Sequence, residues 1–279
     1  MTENVLNRFE RSPASGNGSP VDNPLNMGGT LKADGQSFNP EQLAYAIHTM
    51  DVMKLRIITS ESDLALYSDP LDGDNRYPSI PGIEYHFVGE VTLTAGRGIL
   101  ANPASLFTGN TRSSETLRGN RADHLIKTNG GTTRIRDIRL RNDGGPLVDA
   151  NNVGSSFATV FASVALGPCT YIGDFGTSLS VIFDTECTAT GLTDPGPMIR
   201  FTPGTLTQFA LMNMSAYGNS ACNPVIDLTT ATFLFVGISL SGFILSSGKS
   251  VIEGAANGAN ILPGGTGQLL DCPIIVAVS

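Results

Sequence analysis

Beyond Glu84 the apolar residues fall into short alternating runs broken by Gly, Asn and Pro. Tyr85-His-Phe-Val-Gly-Glu-Val-Thr-Leu-Thr, Thr133-Arg-Ile-Arg-Asp-Ile-Arg-Leu-Arg, Ser180-Val-Ile-Phe-Asp and Thr232-Phe-Leu-Phe-Val-Gly-Ile-Ser-Leu-Ser each read as strands with one buried face. In the second of these, Ile135, Ile138 and Leu140 alternate against Arg134, Arg136, Arg139 and Arg141, and one out-of-step position predicts a bend or bulge. No helical pattern separates the strands, so a βαβ fold is not supported. A single helix is predicted earlier. Asn39 supplies the N-cap, Pro40 the first helical position and Glu41-Gln42 a first turn, with Leu43, Ile47, Met50 and Met53 at helical spacing. Leu55-Arg-Ile-Ile-Thr reads as a short strand and Asp69 to Pro78 as a loop.

The strands repeat weakly. An offset of 26 brings Phe209 onto Phe235 and lays Met212-Asn-Met-Ser-Ala under Ile238-Ser-Leu-Ser-Gly. The same unit occurs as Ile138-Arg-Leu-Arg-Asn. A period in the twenties fits a solenoid, whose turns need small-to-medium apolar residues inside, Gly and Asn at corners and no helix formers. The predicted fold is therefore all-β, a β-solenoid of about seven turns with an N-terminal extended arm and one short α-helix, which the family resemblance given below makes a right-handed parallel β-helix. A β-sandwich is the alternative. The expected organisation is an arm over 1–40, the helix and a lead-in segment over 41–83, and the β-helix over 84–279.

Charge sharpens this picture. Of the first 150 residues 33 are charged, against 9 of the last 129, where only Arg200 and Lys249 are basic. The chain carries a net charge of −8, which argues against nucleic acid as a partner. No apolar run reaches the ~18 residues of a membrane helix, so no membrane insertion is expected. The first ten residues have no apolar core, so no signal peptide is expected. A half so poor in charge is either rich in Ser, Thr and Asn at its surface or covered by other subunits. Cys169, Cys187, Cys222 and Cys272 lie 18, 35 and 50 residues apart with no CxxC pair, which suits core thiols better than a zinc site.

In texture the chain resembles the right-handed parallel β-helix proteins of bacteriophage virions, which include tail fibres, tailspikes and head-decoration proteins. The resemblance rests on the arm and helix through Met53, the opening segment Tyr85-His-Phe-Val-Gly-Glu-Val-Thr-Leu-Thr-Ala-Gly-Arg-Gly-Ile-Leu, and the run of turns to the C-terminus. It implies a homotrimer about the long axis, attached by its N-terminal segment to capsid, neck or tail proteins of the particle, and assembled in the host cytoplasm. The apolar residues of that segment, Phe9, Leu25, Met27, Leu43 and Ile47, are the candidate attachment residues. Arg136, Arg139 and Arg141, with Asp137 and Asp143 interleaved, are candidates for an intersubunit charge ladder. Ile274 and Val276, in the apolar C-terminal run, are candidate interface residues because an open edge there invites aggregation.

Enzymatic candidates are weak. Gly96-Arg-Gly-Ile-Leu-Ala satisfies a nominal dinucleotide fingerprint, but Asn102-Pro103 follows where a helix is required. Gly237-Ile-Ser-Leu-Ser-Gly misplaces the serine of a nucleophile elbow. Asp123 and His124 are sequence neighbours, whose side chains diverge if they lie on a strand. Asp72-Gly-Asp-Asn resembles half of a calcium loop without its closing Glu. Polysaccharide cleavage would need two carboxylates, and Asp184 and Glu186 at i and i+2 are the candidates, although a chain with no Trp and six Tyr is poor in sugar-stacking rings. The expected function is a non-catalytic virion structural protein without cofactor or metal, acting as capsid decoration, cement or short fibre. Its alternative is a tail fibre or tailspike that binds host surface glycan, with depolymerase activity.

Overall fold

The computed structural model describes residues 54–151, 157–176, 179–184, 187–206 and 208–216, and the short strands at 31–33, 36–38, 226–227, 231–233, 236–240, 252–253 and 262–263. The chain divides into two compact units, 1–56 and 57–279. In the first, β1 (Leu31–Ala33) and β2 (Gln36–Phe38) pair antiparallel with Lys32 opposite Ser37, so the loop-like arm contains a hairpin. The helix expected from Asn39 to Met53, and the attachment candidates Phe9, Leu25, Met27, Leu43 and Ile47, lie outside the described residues.

The second unit is a right-handed parallel β-helix. After the strand β3 (Leu55–Ile58) and the helix α1 (Glu61–Tyr67), five turns of three strands follow one another. The first turn is β4 (Arg76–Pro78), β5 (Glu84–Phe87) and β6 (Glu90–Thr92). The second is β7 (Gly98–Ala101), β8 (Leu106–Thr108) and β9 (Thr116–Gly119). The third is β10 (Ile126–Thr128), β11 (Thr133–Arg136) and β12 (Arg139–Asn142). The fourth is β13 (Val148–Ala150), β14 (Phe157–Ala162) and β15 (Ala165–Leu166), and the fifth β16 (Gly173–Phe175), β17 (Leu179–Asp184) and β18 (Cys187–Ala189). Each strand pairs in parallel with its counterpart one turn away, building three faces: A from β4 onward, B from β5 and C from β6. Face A continues through β19 (Ile199–Phe201) and the strands Ile226–Asp227 and Ile252–Glu253. After β20 (Gly204–Leu206), the nine-residue β21 (Gln208–Ala216) pairs with both β17 and β18 and so joins faces B and C.

Parallel stacking of every turn bears out the expected β-helix and excludes its alternative, the β-sandwich, whose sheets are antiparallel. Two features differ from the sequence expectation. The first strand of face A is Arg76–Pro78, so stacking begins before Glu84. The repeat offset is also not constant. Phe209 pairs with Val236 rather than Phe235, and Met212 with Ser239 rather than Ile238; a bulge between Met212 and Met214 then restores 26, placing Met214 beside Leu240.

The core is a set of vertical columns. On face B, Tyr85, Phe107, Ile135, Phe161 and Phe183 stand in register and are all buried. Phe161 and Phe183 stack with centroids 4.6 Å apart and planes 6° from parallel, close to the ~4.8 Å strand spacing, because identical register puts one ring over the next. Face A contributes Ile99, Ile126, Val148 and Ile199, and face C Val91, Leu117, Leu140 and Leu166. Burial of each large side chain contributes roughly 1.5–3 kcal/mol. The out-of-step position of the Arg-rich run is a corner: Asp137 has φ +57° and separates β11 from β12, leaving Ile135, Ile138 and Leu140 inside.

The lower end of the column is closed by α1. Ser60 is its N-cap and accepts from Asp63 N, while the Asp63 carboxylate accepts from Thr59 N and Ser60 Oγ, a reciprocal capping box. Leu64 is buried against the first turn. Glu61 fastens the helix, accepting from Tyr77 OH at 3.0 Å, Arg97 Nη1 at 3.2 Å and Thr94 N at 3.0 Å. No helix is long and apolar enough to cross a membrane among the described residues.

Candidate functional site

The densest group of titratable side chains lies on face A, at the corner that feeds β10. Asp123 and His124 are in that corner, not on a strand, so their side chains converge rather than diverge: Asp123 Oδ1 lies 2.7 Å from His124 Nδ1. The other ring nitrogen, Nε2, lies 2.7 Å from Oδ2 of Asp174 on β16, two turns up the helix. Tyr171 donates its hydroxyl to the same Asp174 oxygen at 2.6 Å. Arg200 on β19 is in register with Asp174, stacks over the Tyr171 ring at 3.6 Å and binds Asp194. Beneath, the fully buried Arg76 donates to Asp123 Oδ2 at 2.7 Å.

Register explains how these residues meet. The outward column of face A reads Leu100, Lys127, Asp149, Asp174, Arg200, so two carboxylates occupy adjacent rungs. Asp149 and Asp174 would repel at the ~4.8 Å strand spacing without cations beside them. His124, Lys127 and Arg200 supply those cations. Burial works against a charged His124, but hydrogen bonds to Asp174 and Asp123 outweigh it and raise its pKa above the ordinary histidine value. Burial likewise opposes ionisation of Asp123 and Asp174. Hydrogen bonds from His124, with the Arg76 charge for Asp123 and Tyr171 for Asp174, hold both carboxyls below the usual range. Burial and the bond to Asp174 push the Tyr171 hydroxyl up.

The arrangement suits holding better than turnover. Both nitrogens of His124 face carboxylates, so neither is free to take a proton from a substrate. No group of three or more His, Cys, Asp or Glu residues is arranged to hold a metal among the described residues. Asp72 of the half calcium loop instead accepts from Asp74 N and Arg76 N as a turn. Gly96 sits in a turn with φ +81°, and a strand, not a helix, follows it, so the dinucleotide fingerprint is a solenoid corner.

The candidates from sequence are dispersed. Asp184 ends β17, and Glu186 lies outside the described residues, as do Ile274 and Val276. Arg136 and Arg139 point outward and are exposed, and Arg141 is half-buried. Arg136 pairs with its own neighbour Asp137, and Arg141 shares Asp143 with Arg118, so these two make contacts within the chain. Arg134 and Arg139 are exposed with no ion pair among the described residues. Cys169 and Cys187 are buried within the apolar core. The His124 cluster escaped sequence reasoning because its members are spread from residue 76 to residue 200; the only local hint was the Asp123-His124 pair. No protein-family model, no curated protein and no solved structure matches the chain.

Proposed function

We propose that this protein is a non-catalytic structural component of a phage virion: a β-helix trimer anchored by its N-terminal segment, serving as capsid decoration, cement or short fibre. One observation carries the reading. The outward register column of face B runs Glu84, Leu106, Arg134, Val160, Ile182, with its charged members in the lower turns and two apolar residues in succession above them. Val160 and Ile182 are half-exposed side chains on adjacent rungs, a strip suited to burial against another copy. The placement in a virion rests on the resemblance in texture. Native mass measurement tests the assembly. The expected mass is about three times 29.2 kDa, and a stable monomer would overturn it. Deleting residues 1–40 is expected to abolish incorporation into particles and to leave the trimer intact.

A second reading has an observation of its own. Asp149 and Asp174 are in register on adjacent strands beside Tyr171, and glycoside hydrolysis uses a pair of neighbouring carboxyl groups. In that reading the protein is a tail fibre or tailspike that cleaves host surface glycan. Incubation with capsular polysaccharide separates the two. New reducing or unsaturated ends, lost in Asp149→Asn or in Asp184→Asn, would sink the non-catalytic reading.

A further inference from the structure

We propose that His124 is a pH-operated latch: when charged, its two ring N–H groups tie the corner before β10 to strand β16, and when neutral it must release one of them. The geometry demands this. Nδ1 and Nε2 lie 2.7 Å from Asp123 and Asp174 respectively, and both acceptors are carboxylates. An imidazolium donates at both positions; a neutral imidazole has one N–H, so its second nitrogen turns a lone pair toward an anion. The latch spans 50 residues and passes over β13, tying a corner of the third turn directly to a strand of the fifth.

The carboxylates facing the ring favour its charged form and so the closed state. Asp123 lies on its own corner, Asp149 on β13 and Asp174 on β16. The cations near these carboxylates are Arg76, Arg121, Lys127 on the next strand and Arg200. Arg76 and Arg121 bind Asp123, whereas Asp174 has Tyr171 as its further hydrogen-bond donor. Loss of the His124 charge thus leaves Asp149 and Asp174 stacked with one cation fewer. The ring also meets Tyr171 edge-on at 6.0 Å, so its displacement disturbs the Tyr171–Arg200 stack. The contribution of the latch is full below the ordinary histidine value of about 6.5 and is lost as pH rises through the elevated folded value.

The test follows amide exchange of the full chain, expressed as protection factors, from pH 6 to pH 10. Protection of 123–126 and 171–175 is expected to fall several-fold across a single titration above about pH 6.5, while 133–136 on face B stays constant. His124→Gln is expected to lack that step and to begin with the lower protection. A flat wild-type profile, or the same step in His124→Gln, overturns the latch. Should His124→Gln fail to fold, Asp174→Asn decides by NMR of the imidazole. The latch requires the His124 midpoint to move down by at least about one pH unit, and an unmoved midpoint rules it out.

Discussion

Asp174 depends on a hydroxyl as well as on the imidazole, which makes its acid behaviour a sensitive probe. Its carboxyl is held low by His124 and Tyr171 against the opposing effect of burial, so its contribution to stability is present above the ordinary value of about 3.9 and is lost as pH falls through the depressed one. Tyr171→Phe removes one donor while keeping the ring under Arg200. Acid unfolding followed by circular dichroism is therefore expected to begin at a higher pH in Tyr171→Phe than in the wild type. Space is as exacting as charge at this scale. A Cβ at Gly173 would lie 2.2 Å from the carbonyl oxygen of Val148 one rung below, backbone that has nowhere to retreat. Gly173→Ala is expected to cost about 1–3 kcal/mol, read as a drop in the denaturation midpoint. The sequence marks residue 173 as a glycine, but not that it occupies an inward column whose neighbours are Val148 and Ile199.

α1 and its cap show how one short element closes an open end. Seven residues do not make a stable helix alone, so α1 depends on its capping box, on Leu64 and on the contacts of Glu61. Leu64→Ala is expected to cost about 2–5 kcal/mol, as for a large core truncation, and Ser60→Ala about 1 kcal/mol. Ser60→Ala combined with Asp63→Ala should cost less than the two singly, because both changes break the same cap; chemical denaturation measures the difference. The signal for this helix was present in Ser60-Glu-Ser-Asp63, a capping-box pattern ahead of Leu64. It was hidden by the stronger-looking pattern from Asn39 to Met53. The strands were more legible. Alternation around Ile135 and Leu140 was plain in the sequence, and the break between them is the Asp137 corner.

For the molecule as a whole, the steps between paired residues on face A run from 22 to 27 residues: Tyr77 to Ile99 is 22 and Ile99 to Ile126 is 27. A search at a fixed period cannot align such turns, which is why the repeat was faint although every turn stacks in register. Corner loops absorb the variation. The segment between β8 and β9, for example, closes on itself through Glu115, which accepts from Thr111 N and Ser114 Oγ. Lateral assembly belongs to this scale too. Val160→Asp with Ile182→Asp puts charge on two adjacent rungs of the outward strip and is expected to lower the native mass from trimer to monomer with an unchanged circular dichroism spectrum. A mass that stays trimeric would place the contact on another face.

By itself the sequence determined the strand type, the inward and outward sides of the strands around residue 135, and the charge-poor character of the upper turns. These are local properties, set by alternation and composition over a few residues. Only the tertiary structure decided which rungs became neighbours, because the corner lengths sum to a step that varies along the helix. That register stacks Asp149 under Asp174, brings His124 to a strand 50 residues away and turns an adjacent Asp-His pair into half of a clamp. No sequence window contains such a site, since its geometry exists only after the turns have closed.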